Sequence, residues 1–177
     1  MELLDVYLYG SPLLKQKTRK VEELPANFPE FLERMYATMY DDDGIGLSAN
    51  QVGVELRFFI ADFSLHDKSM SREVYINPEL IASEGQSVLE EGCLSIPGIH
   101  EKVIRAFKIV LRYENLQREV TEKTFEGFPA RVVQHELDHL NGILLVERIS
   151  VLKRSFIKSK LDRIAEKGIT QTESYKI

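Results

Sequence analysis

Gly127-Phe128-Pro129-Ala130-Arg131-Val132-Val133-Gln134-His135-Glu136-Leu137-Asp138-His139-Leu140-Asn141-Gly142 is the stretch on which the rest of this chain has to be read. Gly127 and Pro129 open it and Asn141-Gly142 closes it, which predicts a helix of roughly three to four turns. Phe128, Val132, Val133, Leu137 and Leu140 put apolar side chains on several faces, as in a helix buried inside a domain. Four residues apart, His135 and His139 are about 40° apart around the axis and one turn apart along it. Both imidazoles can therefore reach one ion. Glu136 projects beside that pair, where it can take a proton from metal-bound water rather than bind the metal. Two ligands and a base form the working core of a hydrolase, although such a pattern also arises by chance in helices with surface histidines.

An open catalytic site of the zinc type uses three protein ligands. One metalloprotease class places a third histidine six residues after the second; Leu145 stands there, and no histidine follows His139. Another class takes a glutamate from a later helix, for which Glu166 is available, but residues 160 to 167 have the composition of a solvated helix face. The only cysteine, Cys93, lies in Glu90-Glu91-Gly92-Cys93-Leu94-Ser95-Ile96-Pro97-Gly98, a loop or short strand bounded by glycine and proline. A lone cysteine is often just a small buried apolar residue. Here it has no disulfide partner, Gly92 allows close backbone approach, and a thiolate would complete a set of one Cys and two His.

Three segments taken together, Gly44-Ile45-Gly46-Leu47-Ser48-Ala49-Asn50-Gln51, Glu91-Gly92-Cys93-Leu94-Ser95 and the His135 to His139 motif, resemble the peptide deformylases. The resemblance runs over about residues 3 to 165 and includes Ser11-Pro12-Leu13-Leu14 and a charged tail from Ser150. It implies a metal on Cys93, His135 and His139, with Glu136 as general base and then acid. It further implies Gln51 and the Leu94 N–H as oxyanion donors. The implied metal is Fe2+, although Zn2+, Ni2+ or Co2+ also suit a thiolate with two imidazoles. The implied substrate is the N-formylmethionine end of new polypeptides, its methionine in an apolar pocket to which Ile45, Gly46, Phe128 and Val132 are assigned. Two departures appear: Ser48 stands where alanine is usual, and Asn50 where proline or another small residue is common. Neither replaces a group that does chemistry, so they are expected to bear on loop packing rather than activity.

With 177 residues, 44% hydrophobic and 29% charged, the chain suits one compact domain, expected over residues 1–168 with a C-terminal helix, followed by a frayed tail at 169–177. A net charge of −5 argues against DNA or a membrane surface as broad electrostatic partners. The first residues read as no targeting peptide, no segment reaches the length of a membrane span, and one cysteine suits a reducing compartment; the expected location is cytoplasmic.

Phe31, Leu32, Met35, Tyr36 and Met39 recur at helical spacing within 29–41. Leu56 to Ala61 reads as a buried strand, and Val74 to Ile76 and Leu80-Ile81 as short strands on either side of Asn77-Pro78. Alternation at Ile109, Leu111 and Tyr113, followed by Glu114-Asn115-Leu116-Gln117, predicts a hairpin ending near Phe125. The expected fold is α+β, mainly short antiparallel strands packed around a central buried helix that carries the metal motif. In the tail, Phe156, Ile157, Leu161 and Ile164 alternate with basic residues, which predicts an amphipathic docked helix. By resemblance its basic face is a ribosome contact. Two other readings use the same motif: a metalloprotease, and a noncatalytic module whose metal is closed by a fourth ligand, His100 or His66.

Overall fold

The computed structural model describes residues 2–64 and 66–177. The architecture of the described residues is α+β, with three α-helices and two antiparallel sheets. Helix α1 spans Phe28–Asp41, and β1 (Gly46–Ser48) and β2 (Phe58–Asp62) follow. Next come β3 (Arg72–Glu84), β4 (Ser87–Glu91), β5 (Glu101–Arg105), β6 (Lys108–Glu114) and β7 (Val120–Glu126). Helices α2 (Gly127–Leu140) and α3 (Val151–Gly168) complete the chain. The larger sheet has the order β1-β2-β3-β6-β7, and β4 and β5 pair as a separate ribbon.

Strand β2 explains how the sheet comes to lie between α1 and α2. Successive side chains of a strand point to opposite faces. Phe58 and Ile60 accordingly join Phe28, Phe31, Met35 and Met39 of α1 in one core, while Phe59 and Ala61 join Ala130, Val133, Leu137 and Leu140 of α2 in another. All four β2 residues are fully buried, and each large apolar side chain so placed contributes roughly 1.5 to 3 kcal/mol over its exposed state. A third core gathers Ile96, Ile99 and Val103 with Leu145, Val146 and Leu161. That cluster seats the loop containing Cys93 against α3.

Two expected short strands around Asn77-Pro78 are in fact one 13-residue strand, β3. Asn77 adopts a left-handed backbone (φ 51) and the register to β6 shifts between Ile76 and Glu79. The Asn77 side chain accepts from Val21 N–H (2.8 Å) and donates to Val21 O (3.0 Å), so the irregular residue is hydrogen-bonded in place. Proline, which cannot donate to a ladder, is accommodated at such a bulge without ending the strand. The hairpin expected through Ile109, Leu111 and Tyr113 to Phe125 is β6–β7, while ahead of it the chain breaks at Ala106-Phe107 and β5 pairs with β4 instead.

The tail differs from the frayed segment expected at 169–177. Gln171 accepts from Leu8 N–H (2.7 Å) and donates to Val6 O (3.1 Å), and Tyr175 N–H donates to Gly53 O (2.7 Å). Tyr175 also lies against Phe31 with ring centroids 5.5 Å apart, and its hydroxyl accepts from Arg34. The tail is thus held by main-chain groups of Val6, Leu8 and Gly53 and by the side chains of Phe31 and Arg34, all far away in sequence. Helix α3 is capped by Ser150 and buries Leu161 and Gly168. Phe156, by contrast, is 78% exposed and takes no part in docking.

Candidate metal centre

Three separate segments of the chain set the side chains of the candidate site. His135, Glu136 and His139 lie on α2, whose start at Gly127 (φ +61) turns the chain sharply out of β7. Gln51 lies in a single 3-10 turn, Ala49–Val52, directly after β1. Cys93 follows β4, and Ile96 N–H donates back to Cys93 O (2.9 Å), closing a turn with Leu94 and Ser95 at its corners. The second residue of such a turn has no partner for its N–H within the turn. That residue is Leu94.

The fold brings together Cys93, His135 and His139, whose ligand atoms all lie within 4.8 Å of one another. His139 Nε2 is 3.2 Å from both Cys93 Sγ and His135 Nε2. Donors bound tetrahedrally to one ion at about 2.0 to 2.3 Å are separated by roughly 3.3 to 3.6 Å, so the spacing suits a single ion. Neither His100 nor His66 belongs to this group. His66 stacks on Phe128 with ring centroids 4.3 Å apart, and the His100 ring lies 2.9 Å from where a Gly92 Cβ would stand.

His135 is oriented through its other nitrogen, Nδ1, which is 3.1 Å from Glu91 Oε2. A carboxylate on Nδ1 fixes the tautomer and turns Nε2 towards the ligand group. Glu91 is itself held by Arg105 at 2.6 and 2.9 Å and by Arg131 at 2.5 Å. Arg105 continues to Asp138 (2.8 Å), the fourth residue of the motif, which also pairs with Arg148. His139 is held differently: its Nδ1 has no hydrogen-bond partner among the described residues, and Asn50 donates to its main-chain carbonyl (2.6 Å).

Burial and charge act against each other in this site. Burial disfavours an imidazolium, but hydrogen bonds to Cys93 and Glu91 and the negative charge of Cys93 and Glu136 outweigh it, and His135 is pushed up to about 10. His139 falls well below the ordinary histidine range through burial and the charge on His135. Burial would raise Glu91, yet the bonds from His135 and Arg105 win and hold it at about 2. Glu136 is raised above the usual carboxyl value chiefly by burial. The field that draws a proton onto His135 is the field a divalent cation would meet, and with the donor spacing it makes these residues fit one.

A cleft of about 550 Å³ opens onto this group. Ile45, Gly46, Phe128 and Val132 line it together with Gln51, Leu94, Cys93, His135 and Glu136. Gln51 Oε1 accepts from Ser48 N–H (2.9 Å), which aims Nε2 at Ser95 Oγ (3.1 Å) and Cys93 Sγ (3.8 Å). Glu136 Oε2 accepts from Ser48 Oγ (2.6 Å), and a Cβ on Gly46 would stand 2.6 Å from Glu136 Oε1. Sequence reasoning assigned no role to Glu91, Ser48, Arg105 or Asp138. For Glu91 a signal was available, since it is a carboxylate two residues from the proposed thiolate ligand.

The chain is similar to known proteins over nearly its whole length. Residues 3–155 match the family model described as polypeptide deformylase. A peptide deformylase of Thermotoga petrophila is 41% identical over 161 residues, covering 90% of this chain and 95% of that protein. A crystal structure of a peptide deformylase from Legionella pneumophila superposes with a TM-score of 0.85 at 36% identity, covering 93% of this chain and 96% of the other. The crystal structure of the Thermus thermophilus peptide deformylase gives 0.86 at 34% identity, with 94% and 99% covered. The fold and site thus define a metalloenzyme class. The chain belongs to the peptide deformylase family and is an enzyme of it.

Proposed function

We propose that this chain removes the formyl group from the N-terminal formylmethionine of newly made polypeptides, releasing formate, with α2 as the buried central helix that carries the working groups. The observation that carries the reading is the convergence of Cys93, His135 and His139 within 4.8 Å at a cleft also lined by Glu136 and Gln51. Cys93, His135 and His139 would hold one divalent ion, Fe2+ by family resemblance, with Zn2+, Ni2+ or Co2+ also compatible with this donor set. Such an ion, when bound, polarises the formyl oxygen and lowers the pKa of water towards neutrality.

The chain's own groups supply the rest. Glu136 accepts a proton from the attacking water and later delivers it to the departing nitrogen, which leaves as the free N-terminal amine. As negative charge grows on the formyl oxygen, Gln51 Nε2 and the Leu94 N–H donate to it. Both are pre-set, Gln51 by Ser48 N–H and Leu94 by its turn. Each such donor is worth about 3 kcal/mol in the transition state. Ile45, Phe128 and Val132 supply the apolar wall for the methionine side chain, while Gly46, without a side chain, leaves room for the substrate backbone and for Glu136.

Such an enzyme works in the cytoplasm, where nascent chains emerge, and no helix of the described residues is long and apolar enough to cross a membrane. The exposed side of α3 presents Lys158, Lys160, Arg163 and Lys167 beside Phe156, a face suited to the ribosome contact implied by resemblance. The decisive experiment supplies the purified protein anaerobically with Fe2+ or Ni2+ and measures formate released from a formyl-Met peptide. Formate in proportion to bound metal is expected. None at full metal occupancy would overturn the assignment.

A further inference from the structure

Ser48 is fully buried at the end of β1, and its N–H and its hydroxyl are both engaged with residues of the cleft. Its N–H donates to Gln51 Oε1 (2.9 Å), and its hydroxyl lies 2.6 Å from Glu136 Oε2. The hydroxyl is also 3.1 Å from the Glu136 main-chain carbonyl. A hydroxyl has one proton to donate, and the shorter contact, to a carboxylate, is the stronger acceptor. Glu136 Oε2 is therefore occupied. Oε1 instead lies over the α-carbon of Gly46, a residue that lines the cleft.

We propose that Ser48 is a positioning residue for Glu136, its hydroxyl anchoring Oε2 so that Oε1 is the oxygen presented to the reacting atoms. A glutamate side chain has three rotatable torsions, and at a buried site a misplaced carboxylate loses rate even when its chemistry is intact. The hydroxyl removes that freedom through a contact between β1 and α2, 88 residues apart in sequence. Because the Ser48 N–H is a main-chain group, it survives substitution of the side chain. The hydroxyl can thus be deleted without releasing Gln51. This inference rests on the proposed role of Glu136 as the proton carrier.

The test is steady-state kinetics on a formyl-Met peptide with metal content measured in every sample, for Ser48→Ala, Ser48→Thr, Glu136→Gln and the Ser48→Ala/Glu136→Gln double variant. Loss of one hydrogen bond to a charged group predicts a kcat roughly 10-fold lower in Ser48→Ala, with KM and metal content unchanged. Ser48→Thr, which keeps the hydroxyl, recovers most of that loss. In the Glu136→Gln background Ser48→Ala costs nothing further, because residues acting through one another are not additive. A normal kcat in Ser48→Ala, an equal loss in the Glu136→Gln background, or a loss that follows metal content would overturn the inference. If Ser48→Ala does not fold, Ser48→Cys, of similar bulk but a weak donor, carries the same expectation. Full turnover in Glu136→Gln would instead remove the role of Glu136 itself, a failure distinct from that of Ser48 alone.

Discussion

Glu91 Oε2 lies 3.1 Å from His135 Nδ1, and the same carboxylate is gripped by Arg105 and Arg131 in a site where its side chain is only 6% exposed. One buried anion therefore orients a histidine of the donor group and pairs with two arginines. Removing its charge strands all three.

Glu91→Gln is expected to destabilise the fold by about 3 kcal/mol, the lower end for breaking a buried ion pair, because the amide keeps the shape and part of the hydrogen bonding. Metal affinity should fall about 10-fold or more as His135 loses its orienting acceptor. Urea denaturation and metal titration measure the two effects. Unchanged values in both would show that the Arg105 and Arg131 pairs carry no net energy.

The same residue sets a pH dependence. Folding lowers Glu91 from 4.5 to about 2, so the unfolded chain takes up the proton first and acid favours unfolding. Its contribution is fully present above about pH 4.5 and is lost as pH falls towards 2, roughly 3 kcal/mol in all. Melting temperatures measured between pH 6 and pH 2 should show the difference between the native chain and Glu91→Gln narrowing over that window. A constant difference would contradict the lowered pKa.

Glu136→Gln should retain the metal and lose at least ~100-fold in kcat, since an amide cannot accept the proton of the attacking water. Metal analysis beside turnover is the check. Ordinary turnover at full occupancy would remove Glu136 from the proton path.

Gln51→Leu should lower kcat more than it raises KM, by the equivalent of about 3 kcal/mol, because the amide contact strengthens only as charge develops on the formyl oxygen. Fold and metal content should survive, as Gln51 is not in the donor group. If activity falls only where metal is lost, the oxyanion is served by other donors.

Gly46→Ala tests the packing beneath Glu136. The added carbon would stand 2.6 Å from Glu136 Oε1, and the Ser48 hydroxyl holds the other oxygen, so the carboxylate must be displaced. A kcat loss of roughly 10-fold or more with near-native stability is expected. A crystal structure of the variant with Glu136 unmoved would contradict it.

Legibility in the sequence followed the range of the contacts. His135, Glu136 and His139 could be read as a unit because helical geometry relates residues four apart without knowledge of anything else. Likewise the apolar spacing of Phe31 to Met39 and the run from Leu56 to Ala61 announced α1 and β2, the latter observed at Phe58–Asp62, since periodicity is local. Cys93 entered as the one cysteine able to complete the donor set, and Gln51 through the resemblance of a whole segment, as no local rule ties either to α2. What only the tertiary structure decided lies across long separations: Glu91 on His135 at 44 residues, Ser48 on Glu136 at 88, and Gln171 on Leu8 at 163. The serine looked like a packing substitution and the tail looked frayed because a hydrogen bond's partner is chosen by the fold. The identity of a residue states what it can donate or accept, and only the arrangement of β1, β4 and α2 around one cleft determines to whom.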